Sequence, residues 1–210
     1  MREEELNSLV YSKNVIEFIT VANEFCSFLE HSDELESADF KSRLQKMLPL
    51  LYLKTSLLPA FGFESDEDLE KFVTEVDYNL IQQKVLRHTG AGDDYPEVFV
   101  SGMQFSESAL TVSIAENVAD IYQEMKDVVM SFRTLNEEVM LLALSEVQNN
   151  FSQLWGQTLV NCMRAVHNLI YSENPADDDA VQAQKQNQKT THTNTKPDWL
   201  NDRFSYQEGE

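Results

Sequence analysis

The chain has 210 residues, 42% of them hydrophobic, with only six Gly and five Pro. That is enough apolar material for one core and too few turn residues for a β-sandwich. Sixteen basic residues face 36 acidic ones, a formal net charge of −20, and so dilute a set of Lys and Arg argues against direct contact with nucleic acid or an anionic membrane.

In chain order, residues 9–31 place Val15, Ile19, Ala22, Cys26 and Leu29 at helical spacing, widened by Phe18 and Phe25. A second helix is predicted over 39–58, with Asp39 as N-cap and Phe40, Leu44, Met47, Leu48 and Leu51 on one face. Pro49 should make it kink or restart, and Pro59 should end it. Ser65-Asp66-Glu67-Asp68 has the form of a capping box for a third helix carrying Leu69, Phe72, Val73, Val76 and Leu80 and stopping at Gly90. Residues 90–105 follow as one long irregular connection.

The fourth segment is predicted to start from Ser106 as cap. Ile114, Val118, Ile121, Met125, Val128, Phe132 and Leu135 form a seam with steps of four and three, and Ala115, Tyr122 and Val129 add a third apolar position per heptad. Asn136 can cap a fifth helix through Met140, Leu144, Val147, Phe151 and Leu154, whose stripe then slips to Leu159, Met163, Val166 and Ile170. Gly156 is its expected bend. The fold class is therefore all-α, a bundle of about five helices with a kinked second helix and long fourth and fifth helices, over residues 1–172.

Residues 173–210 hold eight acids and four bases, net −4, which leaves −16 on the body. This stretch is expected to be a disordered acidic and polar tail ending in a small amphipathic island of Trp199, Leu200, Phe204 and Tyr206.

The longest apolar run, 47–58, is too short to span a bilayer and carries Lys54. The opening Met1-Arg2-Glu3-Glu4-Glu5 lacks an export pattern, so a cytoplasmic location is expected. Cys26 and Cys162 fall in helix-patterned segments and read as buried hydrophobes.

No catalytic constellation is visible. A carboxylate-bridged di-metal bundle needs Glu-x-x-His pairs, and none occurs. Glu116, Asp120 and Asp127 fall on heptad positions facing away from the seam. No nucleophile elbow or phosphate loop exists, and His167 stands five residues after Cys162, so the two need not share a face. No metal or cofactor is expected, and the chain reads as a non-catalytic interaction or adaptor protein whose partner is another protein.

Two stretches invite a binding role. Leu48 to Thr55 is apolar nearly all round; it is expected to be the wrapped, central helix with Lys54 reaching out to water, the alternative being a groove or dimer face. Asp93-Asp94-Tyr95 is either a solvated turn or a lid that reads a partner. A small-ligand binder or enzyme would instead place Tyr52, Lys54, Tyr122, Trp155 and His167 around a pocket between segments two, four and five. The charge alone suggests a third function, an acidic mimic of nucleic acid. A homo-oligomer is compatible with all three.

Residues 11–18 (YSKNVIEF), 48–54 (LPLLYLK), the Asp93-Asp94-Tyr95 loop and above all 113–123 (SIAENVADIYQ) resemble a domain-of-unknown-function family of small helical cytoplasmic proteins from Bacteroidetes. The resemblance spans residues 8–172. It implies an all-α fold and no activity to transfer, and it draws attention to Glu116, Asp120 and Tyr122 within its most recognisable stretch.

Because the linker after Ser172 offers little apolar surface to bury, deleting residues 175–210 is expected to leave the calorimetric melting temperature nearly unchanged. A large drop would show that Trp199, Leu200 and Phe204 dock on the body.

Overall fold

A computed structural model of the protein describes residues 9–61, 69–97 and 110–172. The architecture follows from how each helix disposes of its apolar stripe. Helix α1 (Lys13–Glu30) buries Val15, Phe18, Ala22, Phe25, Cys26 and Leu29, as the 3.6-residue period requires. Helix α2 (Ser37–Ser56) buries Phe40, Leu44, Leu48, Leu51 and Thr55. Its N-cap position is Glu36, with no side-chain cap bond, and Asp39 lies in the first turn, where a carboxylate still favours the positive helix end. The helix runs on through Pro49, which sits on the exposed side.

Helix α3 (Glu75–Thr89) starts later than predicted. Ser65–Asp68 lie outside the described residues, and the chain from Leu69 to Thr74 is not helical. Asp127 accepts the backbone N–H groups of Phe72 at 2.9 Å and Val73 at 3.3 Å, which holds this strap extended along the bundle. Thr74 and Asp77 then form the capping box that opens the helix. The buried positions of α3 are Ile81, Lys84, Val85 and Thr89, so the stripe turns away from Val76 and Leu80, which are exposed. Gly90 ends the helix at a φ of 58°, a conformation that favours glycine.

The long connection is not wholly irregular. Strand β1 (Asp94–Pro96) pairs antiparallel with β2 (Thr111–Ser113), with Tyr95 opposite Val112. Ser106 lies outside the described residues, and the helix that follows is capped by Ser113, whose hydroxyl accepts the N–H of Glu116 at 3.0 Å.

Helix α4 (Ile114–Arg133) has eleven of its twenty residues buried, including Ile114, Val118, Ile121, Met125 and Val128 of the predicted seam. It packs against α1, α3 and the two helices that follow. The wrapped, central helix is therefore α4, and α2 lies at the edge. Leu135 is exposed beyond its end, at a φ of 56° in the turn.

Asn136 caps α5 (Glu137–Asn150) by accepting the N–H groups of Glu138 and Val139. A π-helical turn, Phe151–Trp155, joins it without a break to α6 (Gly156–Tyr171). The turn holds an extra residue, and this, rather than a slow drift of the helical period, resets the stripe. Trp155 is buried and Leu154 is exposed. Five rods result, α5 and α6 forming one, and among the described residues no helix is long and apolar enough to cross a membrane. The expected tail, Trp199 and Tyr206 included, lies outside the described residues.

Gly156 follows the π turn because nothing larger fits: a Cβ there would stand 2.4 Å from the Phe151 carbonyl oxygen and 2.9 Å from its ring. Gly156→Ala should cost on the order of 1–3 kcal/mol through overpacking, despite alanine's better helix propensity. Urea unfolding checks this; a stabilised variant would show that the turn relaxes at no cost.

Candidate functional site

Two surfaces carry features that the core does not need. The first is the outer side of α2. With core positions Phe40, Leu44, Leu48 and Leu51 turned inward, Arg43, Lys46, Leu50, Leu53 and Leu57 step by three, four, three and four residues along the opposite side. All five are exposed, Leu53 to 50% and Leu57 to 46%. This is a second heptad-like seam, apolar at one end and basic at the other. Over residues 37–56 four bases (Lys41, Arg43, Lys46, Lys54) stand against one acid (Asp39), a formal +3 on a chain of −20. Tyr52 extends the surface sideways, its ring meeting Phe151 edge-on at 5.1 Å, and Phe151 in turn meets Trp155 at 4.7 Å.

The second surface is a groove of about 260 Å³ between the end of α1, the strap with α3, and α4. Its polar side is one network. The Glu30 carboxylate accepts from the Tyr122 hydroxyl at 2.9 Å and from the Lys126 ammonium at 2.5 Å. Lys84, almost wholly buried, donates to the Glu30 carbonyl oxygen and lies 2.7 Å from Asp33, which also pairs with Arg87. Phe72, Val73, Leu80 and Ile81 form the apolar wall. Burial pushes the Glu30 carboxyl up, but the bonds from Lys126 and Tyr122 together hold it below the ordinary glutamate value. Burial and the adjacent Glu30 carboxylate push the Tyr122 hydroxyl far above its usual range.

Of the candidate site residues named from the sequence, Tyr122 alone lines this groove. The other residues expected around a pocket among segments two, four and five have contacts of their own. Lys54 does not simply reach water; it pairs with Glu17 at 2.6 Å. Trp155 is buried, donating its indole N–H to the Val147 carbonyl at 3.1 Å. His167 lies exposed on α6 against the Tyr171 ring.

The Asp93-Asp94-Tyr95 turn is not solvated as a whole. Asp93 is buried and accepts from Thr89 at 2.6 Å, from Ser113, and from the backbone of Ala115 at 3.0 Å, tying α3 to the start of α4. Tyr95 is buried against Asn117, and only Asp94 faces water. Asp120 accepts the Tyr78 hydroxyl at 2.7 Å while Glu116 stays exposed. Asp127, expected on a solvated face, is half-buried under the strap, and burial raises its pKa and that of Glu124. Cys26 and Cys162 are free, buried thiols pushed up to about 12 by burial, which makes them inert at neutral pH.

The groove or dimer face weighed for Leu48 to Thr55 did not extend to Arg43, Lys46 and Leu57, which complete this outer seam. The signal was present in the 43-46-50-53-57 spacing. The Lys84–Glu30–Lys126 network had no such signal, since it joins three helices distant in sequence.

A family model described as a domain of unknown function (DUF5063) matches residues 9–172. The crystal structure of protein BF1032 from Bacteroides fragilis is similar at 40% identity and a TM-score of 0.70, covering 80% of this chain and 98% of that one. No curated protein matches.

The Glu30 network makes a pH signature. Because the folded-state pKa is depressed, its stabilisation is present above the ordinary value of 4.5 and is lost as pH falls through the lower folded value. Glu124 and Asp127, with raised values, act with the opposite sign: their protonation on acidification favours the folded state. Glu30→Gln should therefore lower the urea midpoint at neutral pH and flatten its decline on acidification relative to the parent. Parallel acid limbs in the two proteins would show that the network contributes nothing.

Proposed function

This chain belongs to the DUF5063 family, and from that premise we propose that it is a non-catalytic protein-interaction module that docks an amphipathic helix on the outer seam of α2. One observation carries the reading: Leu50, Leu53 and Leu57 stand exposed at heptad-like spacing in line with Arg43 and Lys46. A helix that sheds its surplus apolar groups into water invites burial by a partner, and helix-in-groove recognition uses this spacing. Since each of these leucines is already about half covered, burying the rest of one is worth roughly 1 kcal/mol.

Charge favours a partner that is acidic beside its own apolar stripe. Self-pairing through the seam gains no such complement. Run parallel, it sets Arg43 and Lys46 against their own copies; run antiparallel, it sets them against leucines. The nucleic-acid mimic is less well supported, because Glu17, Glu30, Asp33 and Glu146 are engaged in ion pairs within the bundle. Thiols left unpaired at Cys26 and Cys162 fit a reducing, cytoplasmic setting.

A photo-reactive side chain placed at Leu53 in the native host should give one discrete adduct, absent when the probe sits at exposed Val76. Lys46→Glu should weaken that adduct, and Leu50→Glu with Leu57→Glu should abolish it. Equal labelling from both positions, or indifference to charge reversal, would sink the proposal; an adduct with a second copy would replace it by self-association.

A further inference from the structure

We infer that the groove between α1, α3 and α4 binds a small carboxylate with an apolar or aromatic body. The site shares no residue with the α2 seam, so it stands or falls independently of the docking proposal.

Size comes first. At about 260 Å³ the groove lies just under the range of drug-sized pockets, which suits a compact ligand. Its charge is unlike that of the rest of the chain. Lys84 and Lys126 balance Glu30 and Asp77 among the lining residues, two against two, so the formal sum is zero on a protein of −20. A single negative charge is admitted there; a dianion would crowd Glu30 and Asp77.

The donors are already set out for a carboxylate, since Glu30 occupies the same kind of place: one of its oxygens takes the Tyr122 hydroxyl and the Lys126 ammonium together. An ammonium carries three N–H donors. Among the described residues Lys126 uses one, on Glu30, and Lys84 uses two, on the Glu30 carbonyl and Asp33. Three donors thus remain beside the groove for a second carboxylate, and the partly dry setting strengthens such charge-assisted bonds.

The other wall supplies the apolar half of the recognition. Ile81 is buried at 2% exposure, but Leu80 on the same helix is half exposed and borders the groove. With Phe72 and Val73 from the strap, Leu80 offers apolar surface that a ligand's body would cover while its carboxylate faces Lys126.

The probe is phenylacetate, with phenethylamine and phenylacetamide as cationic and neutral controls of similar shape. They are titrated into the full chain at low ionic strength and followed by methyl NMR. Phenylacetate should move the Leu80 and Ile81 methyl signals saturably, and the two controls should not. Lys126→Met should weaken binding about tenfold, as loss of one charge-assisted contact implies. Leu80→Glu alters a half-exposed side chain that the core does not require and sets a like charge at the rim; it should weaken binding at least as much, and it decides the matter if the Lys126 variant does not fold. No saturable movement, equal binding of the amine, or unchanged affinity in the folded variants would overturn the inference.

Discussion

Everything in this structure depends on covering the wide apolar arc of α4. Ile114, Val118, Ile121 and Met125 are wholly inaccessible to water, and Ala115, Tyr122 and Val129 widen the buried arc beyond what a single neighbour could shield. Four helices are needed to close that arc, and α1, α3, α5 and α6 provide it. Helix α2 is left outside the ring, against α1, α3 and α6. A helix at the edge buries one stripe, so any second apolar stripe must face water. The exposed leucines of α2 follow from this geometry as much as from their own sequence.

The same constraint explains the buried polar contacts. Where two rods meet away from the apolar seam, a backbone or side-chain donor loses its water and must find an acceptor within the protein. Asp93 meets this need at the α3–α4 junction, and Asp127 does so where the strap crosses α4. Gln148 does it for the segment after α2: its amide nitrogen donates to the Pro59 carbonyl at 3.1 Å and its amide oxygen accepts the Phe61 N–H at 3.3 Å. In these three cases the acceptor is a carboxylate or amide oxygen, so part of what seemed a generic acidic surface belongs to the internal scaffolding of the fold.

How much could be read in advance varied with the range of the interaction involved. The α4 seam from Ile114 to Val128, the Asn136 cap and the Gly90 stop are local patterns, and each appears where periodicity or capping chemistry placed it. The start of α3 was not legible, because the strap is held by Asp127, more than fifty residues away. Leu69 and Val73 fit a helical stripe in sequence yet sit on non-helical chain. The π turn was half legible: Gly156 was marked as special, but the extra residue that moves Trp155 inward and Leu154 outward leaves no local signature. The candidate sites divide in the same way. The α2 seam is local, and an outer face there was open from the apolar run itself, whereas the groove needs three elements brought together before Lys84, Glu30 and Lys126 become neighbours.

The distribution of the few bases ties the two surfaces together. On a chain so acidic, a cation placed at random would be drawn to whatever carboxylate lay near, and most of the lysines engaged in ion pairs do cross from one element to another in this way. Arg43 and Lys46 do not. They take part in no ion pair among the described residues, although carboxylates outnumber bases more than two to one. Fold stability does not require them on α2, since the core stripe of that helix is complete without them. Bases that the fold leaves unneutralised, aligned with leucines that it leaves uncovered, are what an acidic amphipathic helix would need to find in order to dock.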